Sequence, residues 1–166
     1  MILFFHTGSA GLQDHITNLQ QLASVSLTQG ATVTTESTWD TPDWELWAHA
    51  EAKRRTTYTM YLFDNLLCAT DGLPMFVATE LAGLPAPAPK TLWEASSYDS
   101  WQRAYAFQLT TCRTWLLQIE ELWSPPPHFT AEGTSERSRR VDEWLSGLDE
   151  FGTMLFAVTA STHGSG

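Results

Sequence analysis

With 166 residues, a net charge of −10 and nine Lys and Arg against nineteen Asp and Glu, this chain lacks the cation density that neutralises nucleic-acid phosphates, which argues against direct DNA or RNA binding. Hydrophobic residues make up 43% of the chain and charged residues 17%, below the roughly 25% of ordinary soluble domains, so its helices expect cover on more than one side: the chain oligomerises, or it is part of a larger helical domain. The two cysteines, Cys68 and Cys112, form no CxxC and imply neither a disulfide framework nor a cysteine zinc site.

Met1–Phe5 is apolar but too short for a signal-peptide core, and no stretch approaches the length of a transmembrane helix. Leu12, Ile16, Leu19, Leu22 and Ala23 recur at helical spacing and predict a first helix over 12–27, ended by Gln29-Gly30. The Thr- and Ser-rich run from Ala31 to Thr41 reads as a loop. A second helix follows, with Thr41 as its cap, Pro42 at its first position, and Asp43 and Glu45 near the positive end of its dipole. Its apolar stripe runs Trp44, Trp47, Ala48, Tyr58, Tyr61, Leu62, Leu66 and Ala69, interrupted by Glu51, and Gly72 with Pro74 stops it. Glu51 and Arg55 stand four apart in the favourable order for an ion pair, and Arg54 and Arg55 are placed to hold acidic groups from loops. The basic runs Lys53–Arg55 and Arg137–Arg140 read as solvated helix faces.

Helical turns are expected around Phe76–Leu81. Leu84-Pro85-Ala86-Pro87-Ala88-Pro89 carries too many prolines for a helix and reads as an extended connector. From Ser97 or Asp99, the positions Trp101, Tyr105, Leu109, Cys112, Leu116, Ile119 and Trp123 predict a third helix, ended by Pro125-Pro126-Pro127. His128–Ser135 reads as a loop. A last helix is expected over 136–160, with Val141, Leu145, Leu148, Phe151, Leu155 and Val158 inward and with Gly147 and Gly152 allowing a bend or a close contact.

No histidine pair has metal-ligand spacing, and neither GxSxG, nor a P-loop, nor GxGxxG is present. Asp64 is the best candidate for a buried acid, but it lacks the clustered carboxylates that a helical metal enzyme needs. Structural pairing of Glu51, Arg54 and Arg55 outweighs a catalytic role.

The order Trp44-x-x-Trp47, Glu51-x-x-Arg54-Arg55, aromatics leading to Asp64, Gly72-Leu73-Pro74, Glu80-Leu81, Leu84-Pro85, Leu92-Trp93-Glu94-Ala95 and Trp101 resembles the C-terminal part of the fungal-specific transcription factor regulatory domain, the middle homology region. Glu120, Leu122, Trp123, Trp144 and Asp149–Val158 resemble the end of members that carry zinc-cluster or C2H2 modules. The resemblance covers roughly residues 39–160 and implies an all-α fold, nuclear location and regulation of transcription. Its matching positions are structural: Trp44, Trp47, Glu51, Arg54, Arg55, Asp64, Leu84, Pro85, Trp93 and Trp101. The family's zinc and DNA residues map to no position here, so zinc belongs to a module outside this chain, and this chain has no cofactor, metal or DNA-binding residue of its own.

The expectation is therefore an all-α chain of about four main helices, part of a larger helical regulatory domain. It is organised as an N-terminal helix and loop over 1–38, the regulatory domain over 39–160 and a disordered tail over 161–166. Its function would be that of a non-enzymatic fragment of a fungal transcription factor. Its partners would be proteins, as a homodimer or as a heterodimer with a related factor, with neither nucleic acid nor membrane bound. The alternative is a small-molecule-sensing or dimerising helical module that modulates a partner protein.

Overall fold

The computed structural model describes residues 43–75, 77–111, 117–125 and 128–164. The first helix expected over 12–27 and the loop over 31–41 lie outside the described residues. The fold is all-α. Five helices are described: α1 (Trp44–Thr70), α2 (Lys90–Trp93), α3 (Tyr98–Thr111), α4 (Ala131–Ser146) and α5 (Glu150–His163), with 3-10 turns at Thr79–Leu81 and Ile119–Leu122. Among the described residues, β pairing is limited to one isolated antiparallel bridge between Pro85 and Gln118.

Helix α1 begins where a carboxylate can cap it. Asp43 Oδ1 accepts from the backbone N–H groups of Glu45 at 2.8 Å and Leu46 at 3.2 Å, so Asp43 is the cap that had been expected at Thr41. The helix ends as predicted: Gly72 takes φ of 64° and Leu73 N–H bonds back to Cys68 O at 2.8 Å, a turn that glycine makes without steric cost. The expected stripe holds through Leu62 and then shifts. Leu66 is 62% exposed, while Asp64, Asn65 and Cys68 are buried.

Two further expectations fail for one physical reason, competition for backbone hydrogen bonds. The helix beginning at Tyr98 does not reach Trp123, because Leu117 O accepts from Ala86 N–H at 2.6 Å and Ile119 N–H donates to Leu84 O at 2.9 Å. Those groups pair with the proline-rich segment and are lost to an i→i−4 ladder. Leu109, expected inward, is 50% exposed, and 112–116 lie outside the described residues. The helix expected over 136–160 is two helices. Thr130 Oγ1 caps α4 by accepting from Gly133 N–H at 3.1 Å, so Ala131–Ser135 is helix rather than loop. At Gly147 the carbonyl accepts from Lys90 N–H at 2.9 Å, and Asp149 Oδ1 caps α5 through Gly152 N–H at 2.8 Å. Gly147 is thus the bend and Gly152 the close contact, since a Cβ there would lie 2.6 Å from Leu148 Cδ2. Helix α5 continues through His163 rather than ending at 160; His163 stacks on Trp123 with ring centroids 4.4 Å apart.

The core has two parts. Tyr58, Tyr61 and Leu62 of α1 meet Leu81, Leu84, Ala86, Leu117, Ile119, Leu122, Trp144 and Leu155 in the larger one. Trp47 of α1 packs with Leu92, Trp101 and Tyr105 in the smaller one. Helix α1 runs along both, and the segment Leu84–Pro89 passes between them.

Candidate functional site

One turn of α1 carries Glu51, Arg54 and Arg55, and all three are buried, Glu51 completely. Glu51 Oε2 accepts from Arg54 at 2.5 Å; its Oε1 accepts from Arg55 Nε at 2.8 Å and from Ala88 N–H at 2.9 Å. Arg55 extends the cluster across the fold. It donates to Asp149 Oδ2 at 2.6 Å, 94 residues away in sequence, and to Ala88 O at 3.1 Å. Its guanidinium lies 4.6 Å from the Trp93 ring centroid and 5.2 Å from that of Phe151. A planar, delocalised guanidinium suits this position, because it can form several directed bonds in its plane while its faces rest on aromatic rings.

The two carboxylates and two guanidiniums sum to zero charge. Burying an ion costs several kcal/mol unless matched partners surround it, and here both Glu51 oxygens and both Asp149 oxygens are occupied. Such a cluster is suited to registering one element against another, since any shift leaves an uncompensated charge in the core. It joins α1, the proline-rich segment and the α4–α5 junction.

The proline-rich segment explains why three elements converge there. Pro85, Pro87 and Pro89 have no N–H. The donors left between Leu84 and Lys90 are four, and each goes to a different place: Leu84 to Leu81 O, Ala86 to Leu117 O, Ala88 to Glu51, and Lys90 to Gly147 O. The carbonyls are used in the same way. Tyr58 donates its hydroxyl to Pro85 O at 2.8 Å, and Trp144 Nε1 donates to Pro87 O at 2.9 Å. Burial pushes the Tyr58 hydroxyl well above the ordinary tyrosine range, so it remains a protonated donor. The segment is therefore a packed internal ribbon.

The sequence-predicted residues fall into three groups. Glu51, Arg54, Arg55 and Trp93 meet in the charge cluster, and Leu84 and Pro85 in the ribbon beside it. Trp47 and Trp101, with centroids 5.5 Å apart, form an aromatic ladder in the smaller core that Tyr105 continues at 4.8 Å, and Trp44 joins it through Tyr98, 6.4 Å from Trp44 and 6.1 Å from Trp101. Asp64 stands apart from both. The reading of Lys53–Arg55 as a solvated face holds for Lys53 and fails for the two arginines, which are buried because acids meet them from inside. In the second run, Arg139 is exposed between Glu136 and Glu143, while Arg140 bonds Glu121 at 2.8 Å and Arg137 donates to the carbonyls of Glu120, Glu121 and Trp123. Sequence reasoning placed Tyr58 on the apolar stripe of α1 and carried Trp144 and Asp149 in the family resemblance, but assigned none of them a partner. The local signal for Asp149 was a capping carboxylate two residues after a helix-ending glycine; nothing local pointed the two aromatics to the carbonyls they bond.

Asp64 is 2% exposed, and its Oδ1 has no hydrogen-bond partner among the described residues. Burial pushes its carboxyl up to about 6, and the Glu80 charge acts in the same direction. A carboxyl raised in the folded state binds its proton more tightly there. Its contribution is most favourable below the ordinary value of 3.8 and is lost as pH rises through about 6. Asp64→Asn should therefore raise stability near neutral pH by about 1 kcal/mol and flatten the fall in stability over that window. Thermal melts of both proteins across the acid range read this, and a variant less stable than the parent at neutral pH would contradict it.

Among the described residues, no group of three or more His, Cys, Asp or Glu is placed to hold a metal, and no helix is long and apolar enough to cross a membrane. No curated protein and no solved structure matches the chain. The family description "Fungal specific transcription factor domain" matches residues 9–124. That span begins ahead of the boundary expected at 39 and ends before α4, and it contains Glu51, Arg54, Arg55, the ribbon and the aromatic ladder. The match covers well over half of the chain, which belongs to the fungal-specific transcription factor domain family.

Proposed function

We propose that this chain is a regulatory helical domain acting in DNA-templated transcription in the nucleus, through contacts with protein partners that include related factors. DNA contact would be made by a zinc-binding module that this chain does not supply, and the chain would be a portion of the family's full regulatory unit. The observation that carries the reading is the family match over residues 9–124. The charge of −10 supports it, because an acidic domain needs another module to reach a phosphate backbone. The charge cluster supports a structural rather than a catalytic use of Glu51 and Arg55, since their polar atoms are bonded to one another, to Asp149 and to the ribbon.

The test places the chain between a heterologous DNA-binding module and an activation segment in a yeast reporter strain. The expected result is a reproducible change in reporter output relative to the same fusion without the chain, with the purified chain alone failing to retard DNA at physiological salt. An inert domain of normal abundance, or a chain that retards DNA by itself, would overturn the proposal.

A further inference from the structure

The C-terminal end of α1 is acidic and has no cation near it in sequence. Between Arg55 and Lys90 the chain holds Asp64, Asp71 and Glu80 but neither Lys nor Arg. Asp64 and Asp71 stand about two turns apart on one face of α1, Asp64 buried and Asp71 exposed as the C-terminal cap. Glu80, exposed on the 3-10 turn that follows, is near enough for its charge to act on Asp64. The last turn of α1 carries no basic residue, although a helix C-terminus favours cations and disfavours carboxylates. Acids elsewhere are placed with that field: Glu45, Asp99 and Glu132 lie in first turns.

We propose that this acidic end is a docking site for a basic segment of a partner protein, one that carries Lys or Arg beside apolar side chains. Charge complementarity favours that occupant. Among the described residues no ion pair reaches Asp64, Asp71 or Glu80, so a cation from a partner would meet carboxylates that have no counter-charge there. Asp64 is an independent sign of the same need. It is 2% exposed and its Oδ1 lacks a hydrogen-bond partner among the described residues, which is a costly state for a buried polar group. Leu73 and Val77, 40% and 46% exposed on the segment between Asp71 and Glu80, offer apolar contact. A second copy fits less well, because two chains of charge −10 repel each other. A metal ion fits less well too, since among the described residues no group of three or more His, Cys, Asp or Glu is placed to hold one. The proposal rests on the protein-contact part of the proposed function and adds the partner's chemistry; its test uses neither DNA nor a reporter, so either can fail alone.

Fluorescence anisotropy of the full chain with a labelled amphipathic helix of leucine and lysine tests it, with a leucine and glutamate helix as the control probe. The expected result is salt-sensitive binding of the lysine probe and none of the glutamate probe. Asp71→Lys with Glu80→Lys should weaken that binding on the order of tenfold or more, and Leu73→Ser with Val77→Ser should weaken it as well. Glu132→Lys with Asp142→Lys, an equal charge change on exposed positions of α4, should leave the affinity within about threefold. Asp71→Asn with Glu80→Gln decides the matter if the lysine variant does not fold. A lysine probe that fails to bind, or both probes binding alike, would overturn the proposal. So would equal losses in the two charge-reversed variants, since the attraction would then belong to the acidic chain as a whole.

Discussion

Glu51→Ala should cost about 3–5 kcal/mol of unfolding free energy, which in a domain of this size lowers the melting temperature by roughly 10 °C or more. The substitution removes the carboxylate that both guanidiniums share; among the described residues Arg55 keeps Asp149, while Arg54 loses its ion-pair partner. It also strands the Ala88 N–H, which sits in a segment whose alternating prolines leave few donors. Glu51→Gln keeps an acceptor for Ala88 while removing the charge, and should cost less. Denaturant unfolding of the three proteins gives the comparison. A Glu51→Ala loss below about 1 kcal/mol, the range of exposed ion pairs, would mean that the cluster is wetter than its burial indicates.

The second large effect is expected at Asp149. This side chain does two jobs with two oxygens: Oδ1 caps α5 through Gly152 N–H, and Oδ2 accepts from Arg55. Asp149→Ala should lose about 3 kcal/mol or more from the stranded arginine and about 1 kcal/mol from the cap. Asp149→Ser separates the two, because serine can still cap but cannot neutralise Arg55. It should recover the smaller part alone. Amide exchange in the first turn of α5 reads the cap independently of global stability, and should speed up in the alanine variant and stay near parental in the serine variant.

What could be read from the sequence divides along physical range. Glu51 with Arg55 was legible because a four-residue spacing on a helix fixes proximity. The ending of α1 at Gly72 and the extended Leu84–Pro89 segment were legible because glycine and proline act locally. Asp149 as the partner of Arg55 was not, since nothing local ties residues 94 positions apart. The same limit explains the third helix. Its apolar period continues through Ile119 and Trp123, yet period carries no information about which backbone groups another segment will take. Leu84 and Ala86 take those of Leu117 and Ile119. The family resemblance placed Trp44, Trp47, Glu51, Arg54, Arg55, Leu84, Pro85, Trp93 and Trp101 together as structural positions, and the geometry divides them between the charge cluster with its ribbon and the aromatic ladder.

Asp149 lies beyond the family match that ends at 124, while Arg55 lies inside it. Their ion pair is thus the most buried of the charged ties between the matched region and the helices that follow, beside the more exposed Arg140–Glu121 and Lys90–Glu150 pairs. A double-substitution cycle on Arg55→Met and Asp149→Asn, read by denaturant unfolding, tests most directly whether this cluster fastens the fold. The double variant should lose less than the sum of the two single losses, by about 1–3 kcal/mol, because each single change strands a buried charge that the other removes. Losses that add to within about 0.5 kcal/mol would show that Arg55 and Asp149 are neighbours without being a fastener, and would contradict that role.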